Sequence, residues 1–477
     1  MTVVTSSTVP AHRGPAQPSS PAAREHFTLL PPLPVSTTPP VLDERQRAVV
    51  EHRGGPLLVL AGPGTGKTTT LVETCADRLA DPAAGGVLVL TFSRRAALDL
   101  RRRIATRLAR STVTPSAMTF HAFCLAVVRR FADADVLGSQ LRLLTAPEQE
   151  FRVREVLAGT EQVEWPAEFA RAAPTRAFAA EVRAVVARAR QLGMDPEDVF
   201  EAGRRAGRQG WTAVGIFFEE YLTVLDAEQV IDYTELVHRC RILLADPQVR
   251  RTLREEFPTV LVDEFQDTDP AQVAVLHSLA GDGGELTVFA DPDQSIYAFR
   301  GADPRVVADF PTTFRTVTGA PAPTLALGST RRFGRRLAHA SRLVADRLPL
   351  PAGIPPEEVA AFRHPEVVDT GRGSGRVEVY SCDSVGAEAE HIADILRTAR
   401  LREGLDWSEM AVLVRSGRAS IPPLSRALTA AGVPVEVAGD EIPLGSELAV
   451  RPLLLALQVV ARGRRLDADE AARLVVS

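Results

Sequence analysis

The chain has 477 residues, of which 45% are hydrophobic and 24% charged, and a formal net charge of −5. Such proportions describe a globular protein with room for two or three domains, and no apolar run reaches the ~20 residues that cross a bilayer. A slightly acidic total gives no global attraction to nucleic acid, so any such binding falls to local basic surface.

Residues 1–40 are rich in Pro, Ser, Thr and Ala. They offer too little apolar surface to offset the entropy of ordering and are predicted to form a disordered tail. Helical order is predicted from Val41, with Asp43 as the N-cap. Short apolar runs without alternation follow at 57–60, 87–90, 260–262 and 286–289. Separated by helical stretches, they predict parallel strands covered on both faces, hence an α/β fold with a parallel sheet. Between 131 and 230 the chain turns to long Ala/Arg/Glu-rich stretches with no convincing strand, predicting an all-helical insertion between two halves of one sheet. A second α/β region is predicted from the runs at 376–380 and 410–414 and their flanking helices, with Gly371 to Gly375 as a turn or linker.

Cys75, Cys124, Cys240 and Cys382 form no CxxC pair. They read as small buried hydrophobes in a reducing compartment. The N-terminus lacks the charged-then-apolar order of a signal peptide, so a cytoplasmic location is expected.

Lys67 is the only lysine in the chain and lies within Ala61-Gly62-Pro63-Gly64-Thr65-Gly66-Lys67-Thr68. A chain that uses arginine everywhere else keeps a compact ammonium where it must reach into a loop of backbone amides and touch phosphates. The loop follows an apolar run and opens a helix, the context of a phosphate site. Gly62, Gly64 and Gly66 let the N–H groups of the loop, Thr65 included, converge on an anion, while the Thr68 hydroxyl suits Mg²⁺. Asp263-Glu264-Phe265-Gln266-Asp267 follows the 260–262 run and supplies a metal carboxylate, Asp263, and a base, Glu264. The plainer alternative is an acidic turn facing water. Lys67 and this acidic pair are expected to converge on one magnesium triphosphate at the tips of adjacent strands. Gln294, at the next strand end, can sense a γ-phosphate, and Tyr297, Phe299 and Arg300 beyond it could stack or clamp bases, although aromatics at that spacing are often plain core.

In order and spacing these segments resemble the superfamily 1A DNA helicase motors of the UvrD/Rep/PcrA and RecB type over roughly residues 41 to 460. Leu42-Asp43-Glu44-Arg45-Gln46 resembles the adenine-reading motif, 61–68 the phosphate loop, 91–97 and 119–124 motifs Ia and Ib, 263–267 motif II and the Gln294 segment motif III. The resemblance implies a RecA-like phosphate-loop NTPase domain with an all-helical insertion and an incomplete second RecA-like domain. It divides the chain into motor domain 1A (41–130 and 231–318), helical insertion 1B (131–230), the first part of 2A (319–447) and the start of a 2B region (448–477). Asp232-Tyr233-Thr234-Glu235-Leu236 resembles the re-entry into 1A.

For the site, the resemblance implies ATP and Mg²⁺. It puts Gln46 on adenine, Gly62, Gly64, Thr65, Gly66, Lys67, Thr68 and Thr69 around the nucleotide, and Thr68 with Asp263 on the metal. Glu264, Lys67, Gln294 and an arginine finger, Arg332, carry hydrolysis; Phe92, His121, Tyr297, Phe299 and Arg300 line the single-strand path. Three positions depart from the family: Arg331 replaces the tyrosine that stacks on adenine, Thr69 replaces an arginine, and Phe299 replaces a common tryptophan. The first two suggest looser base preference. Arg331 and Arg332 could instead begin a solvated basic helix, and Arg94, Arg95 and Arg101 to Arg103 could be a solvated face or bind DNA phosphates.

The wording of 435–444 is most similar to actinobacterial motors of the AdnAB or RecB-like group. Motifs V and VI and a nuclease motif do not occur in the sequence, so slow ATP turnover by this polypeptide alone is expected. The implied activity is a 3′ to 5′ ATP-driven helicase or translocase on single-stranded and tailed duplex DNA, in repair or recombination, with a second motor or nuclease subunit as a possible partner and no membrane. The alternative is a truncated motor that binds ATP and DNA or a partner without unwinding.

Overall fold

Successive residues of an extended strand point to opposite faces, and here both faces are covered. Leu58, Leu60, Leu88, Leu90, Val260 and Val262 enter one apolar cluster, whereas Leu57, Val59, Val87, Val89 and Leu261 enter a second. Each fully buried Leu or Val contributes about 1.5–3 kcal/mol, so a strand serving two clusters has no place for a polar alternate. That requirement explains the continuous apolar runs.

The computed structural model describes residues 39–80, 85–108, 116–132, 141–160, 162–169, 171–281, 283–349, 353–371, 373–437 and 451–462. The expected tail up to residue 38, the stretch 438–444 and most of the expected 448–477 segment lie outside the described residues. The chain divides into two compact units, Met1–Val377 and Glu378–Ser477.

Strands of the first unit are β1 (Pro56–Leu60), β2 (Val87–Thr91), β3 (Ser116–Thr119), β4 (Arg142–Leu143), β5 (Val230–Ile231), β6 (Thr259–Val262), β7 (Glu285–Ala290), β8 (Thr324–Ala326), β9 (Ser329–Thr330) and β10 (Glu366–Val367). A six-stranded parallel sheet has the order β3-β2-β6-β7-β1-β8. The strand before the phosphate loop and the strand before the acidic pair are therefore not neighbours. β7 lies between them, pairing Leu286 with Pro56 on one side and with Val260 on the other. This corrects the expected adjacency and inserts the Asp291–Gln294 turn between the two halves of the site.

The helices are α1 (Glu44–Glu51), α2 (Lys67–Ala80), α3 (Arg94–Leu108), α4 (Phe120–Phe131), α5 (Ala146–Gly159), α6 (Arg176–Gln191), α7 (Pro196–Arg205), α8 (Gln209–Ala227), α9 (Tyr233–Ala245), α10 (Pro247–Glu256), α11 (Pro270–Ala280), α12 (Val306–Thr313), α13 (Arg335–Ala345) and α14 (Pro356–Arg363). Asp43 caps α1 as expected, in a reciprocal box with Gln46. Helices α5 to α8 form the insertion around their own core, which includes Val182, Val186, Phe217, Phe218, Tyr221 and Leu225. It is not wholly helical: β4 and β5 form a two-residue parallel pair at its base. Asp232, which caps α9, accepts there from Tyr221 Oη and Gln149 Nε2, each at 3.0 Å.

The second unit holds α15 (Val385–Arg402), α16 (Gly417–Ala430) and α17 (Arg451–Arg462), with Ala393, Leu428 and Val433 as a small core. Ser384 caps α15. The runs read as strands at 376–380 and 410–414 carry no strand assignment. Val379 and Leu413 are each 93% exposed, so β-propensity in these runs is not matched by burial on a sheet face.

Cys75, Cys124 and Cys240 are buried free thiols as expected, whereas Cys382 is exposed. No helix among the described residues is long and apolar enough to cross a membrane.

Candidate nucleotide-binding site

The loop after β1 curls because Gly64 and Gly66 adopt φ of +77° and +89°, the left-handed region where side chains are strained. Buried Thr65 ties the loop to itself, its hydroxyl donating to Gly62 O at 2.8 Å. α2 then starts at Lys67, so its N-terminal amides and partial positive charge face the loop, a suitable setting for phosphate. Thr68 and Thr69 occupy the first turn of α2, half-buried.

Lys67 Nζ pairs with Glu264 Oε2 and lies 3.7 Å from Asp263 Oδ1. The lysine and the acidic pair therefore converge, although 196 positions separate Lys67 from Asp263. Asp263 is 6% exposed and its Oδ1 has no hydrogen-bond partner among the described residues. Burial raises its pKa to about 6, with Lys67 opposing the rise. Glu264 adopts φ +54° and ψ +45°, a left-handed conformation that costs a non-glycine residue roughly 1–2 kcal/mol. In that conformation its carboxylate leaves the strand direction and meets Lys67. The acidic pair is thus no turn facing water.

A relay of side chains runs onward from Glu264. Gln266 Nε2 donates to Glu264 Oε2 at 2.8 Å, Gln266 Oε1 accepts from the Asp291 N–H at 3.0 Å, and Asp291 Oδ2 accepts from Gln294 Nε2. Burial raises the Asp291 pKa to about 6. Gln266 and Asp291 received no role from the sequence; only the placement of β7 beside β6 shows why they matter. A cavity of about 370 Å³ opens beside the relay, lined among others by Gly62, Pro63, Asp291, Asp293 and Gln294.

Gln46 is buried and doubly engaged: Oε1 accepts from the Asp43 N–H at 3.1 Å, and Nε2 donates to Thr65 O at 3.0 Å. It joins α1 to the phosphate loop. From the other side, Thr330 Oγ1 donates to Pro63 O at 2.9 Å and the Arg331 N–H to Gly64 O at 3.0 Å. Arg331 also pairs with Asp43 at 3.0 Å, so it is not the solvated start of a helix; α13 begins only at Arg335. A Cβ on Gly64 would collide with Cβ of Arg332, which puts the expected finger residue directly over the loop.

The expected single-strand residues divide into two groups. Phe92, just after β2, lies 4.6 Å ring to ring from Tyr297, and Tyr297 lies 6.0 Å from Phe299, which is 78% exposed. These three rings form one row. His121 packs edge-on against Tyr233 instead, at 4.9 Å. Burial, with Arg94 nearby, lowers its pKa to about 4. Arg300 ends the turn Ala298–Arg300; its side chain lies outside the described residues. Of the α3 arginines, Arg103 pairs with Asp99 at 2.7 Å and Arg101 donates to Ala117 O at 2.5 Å.

The family model for the UvrD/REP helicase N-terminal domain matches residues 42–315. The ATP-dependent DNA helicase UvrD2 of Mycobacterium tuberculosis is 30% identical over 454 residues, 91% of this chain and 60% of that protein. UvrD1 of the same organism is 28% identical over 410 residues, 83% of this chain and 50% of its own length. DNA helicase II of Salmonella typhimurium is 29% identical over 279 residues, 57% of this chain and 36% of that protein. The chain spans about half the length of the curated relatives it matches.

Proposed function

Because this chain belongs to the UvrD/REP helicase family, we propose that it carries the nucleotide-binding motor of an ATP-dependent DNA helicase that moves 3′ to 5′ on single-stranded DNA, in repair or recombination. The observation that carries this reading is the convergence of Lys67 with Asp263 and Glu264 at the mouth of the phosphate loop. In domain terms, 41–130 and 231–318 are motor domain 1A, 131–230 is 1B, 319–447 begins 2A and 448–477 begins 2B.

The backbone amides from Gly62 to Gly66 and the Lys67 ammonium hold the phosphates of ATP. Gln46 sits at the adenine end of the loop, with Thr69 beyond the metal-facing hydroxyl. Mg²⁺ fits the site: Asp263 Oδ1 is a buried carboxylate oxygen with no hydrogen-bond partner among the described residues, and hard oxygen donors such as this and the Thr68 hydroxyl suit that ion. Bound there, it would neutralise charge on the phosphate oxygens. Glu264 Oε2 takes the proton of the attacking water, and Arg332 stabilises charge on the transferring phosphoryl group. Gln294 reports the γ-phosphate through the Asp291–Gln266 relay and through its own turn to Tyr297.

Phe92, Tyr297 and Phe299 give bases a stacking surface, with Arg300 and His121 at its margins. Strand displacement on 3′- and 5′-tailed duplexes tests the polarity. Displacement confined to 3′-tailed substrates is expected; displacement confined to 5′-tailed ones would contradict the reading.

A further inference from the structure

The turn that leaves β7 carries Gln294, Tyr297 and Phe299, and it is held at both ends by arginines from distant parts of the first unit. Upstream, Arg363 at the end of α14 forms a two-pronged ion pair with Asp293, Nη2 to Oδ1 at 2.9 Å and Nε to Oδ2 at 3.1 Å. Arg363 is only 7% exposed, and Nη1 and Nη2 also donate to Leu348 O at 3.1 Å and Pro349 O at 2.9 Å, so four of its five N–H groups are engaged. A planar guanidinium satisfied in this way fixes Asp293 in both position and orientation. Downstream, Arg188 in the last turn of α6 donates through Nη1 to Gly301 O at 3.2 Å. Gly301 has φ +100°, and a Cβ there would run into the Gln191 carboxamide of the same helix. The insertion thus abuts the end of the turn, with no room for a side chain at Gly301.

We propose that Arg363 and Arg188 are positioning residues that bracket residues 293–301, so that movement at Gln294 is delivered to the Tyr297–Phe299 row instead of being absorbed by the loop. The inference rests on the nucleotide and DNA reading given above. In physical terms the bracket sets a coupling free energy between two ligands, which is reciprocal and separable from the affinity for either one. Asp293 and Gly301 are eight positions apart, so fixing both ends limits how far the backbone between them can take up a displacement.

The test uses the full chain, a fluorescein-labelled oligothymidylate and a non-hydrolysable ATP analogue with Mg²⁺. DNA affinity is measured by anisotropy with and without the analogue, and analogue affinity is measured separately. The wild type is expected to show at least about a fivefold change in DNA Kd on adding analogue, whereas R188A and R363A fall to within about twofold of no change. Each ligand's affinity on its own stays at the wild-type value, a result that mere loss of structure would not give. Arg188 is exposed, so R188A decides the question even if R363A fails to fold. Retained coupling in R188A overturns the proposal, as does weaker DNA binding by R188A without nucleotide, which would make Arg188 a DNA contact. A wild type that binds both ligands without coupling also overturns it and leaves the proposed function standing. Failure to bind either ligand removes the reading beneath it and the inference together.

Discussion

The backbone N–H of Arg331 donates to the carbonyl of Gly64 at 3.0 Å, joining the segment after β9 to the phosphate loop 267 positions earlier in the chain. With Arg331 also paired to Asp43 and Gln46 bonded to Thr65 O, the loop is gripped from both flanks. Its shape is therefore set before any nucleotide arrives, which lowers the ordering cost of binding.

Gly64→Ala tests that grip. The substitution meets a φ of +77° and contacts of 2.7 Å to Thr330 Oγ1 and 3.0 Å to Arg332 N. A loss of about 1–3 kcal/mol in unfolding free energy is expected, together with weaker ATP binding. Thermal unfolding and titration with a fluorescent ATP analogue check both; an unchanged midpoint and Kd would show that the loop does not depend on this contact.

Much of this arrangement was legible in the chain. Runs without alternation announced a sheet covered on both faces, Asp43 announced the start of α1, and the lone lysine marked the phosphate loop. Strand order was not legible, because parallel pairing is decided by long crossovers and not by local pattern. β3 and β8 were missed as strands, being short segments whose inward residues are few. The Gln266–Asp291 and Asp293–Arg363 contacts join residues 25 and 70 positions apart, and nothing in either local sequence names its partner. The place of Glu264 after an apolar run was legible, but not the left-handed backbone that turns its carboxylate toward Lys67.

Base stacking gives a prediction for the aromatic row. Phe92→Ala and Tyr297→Ala should each weaken oligothymidylate binding by about 1–3 kcal/mol, the usual worth of one stacked base. The His121→Ala change should cost less, since His121 packs on Tyr233 outside the row. Equal losses at all three positions in anisotropy titrations would argue against a single track.

Stability should fall on acidification through a buried histidine. His238 is 4% exposed, with Arg190 Nη1 3.2 Å from Nε2 and Arg241 Nη2 3.3 Å from Nδ1. Burial and these guanidinium groups lower its pKa from 6.5 to about 4, Asp195 opposing and Arg239 reinforcing the shift. Because the folded pKa lies below the unfolded one, the unfolded chain binds more protons between those values. The contribution is complete above pH 6.5 and is lost as pH falls toward 4, a change of up to about 3 kcal/mol. Denaturant unfolding of wild type and His238→Gln across that window checks it: the wild type should lose more stability than the variant, and parallel profiles would refute the assignment.

Magnesium-dependent ATP binding by the full chain, compared with Lys67→Ala and Asp263→Asn, tests the central claim most directly. If the ammonium and the buried carboxylate serve one nucleotide, wild type binds in a Mg²⁺-dependent manner, Lys67→Ala weakens binding at least about tenfold, or ~1.4 kcal/mol, and Asp263→Asn removes the magnesium dependence while the fold persists. Undiminished, magnesium-dependent binding in both variants would contradict it.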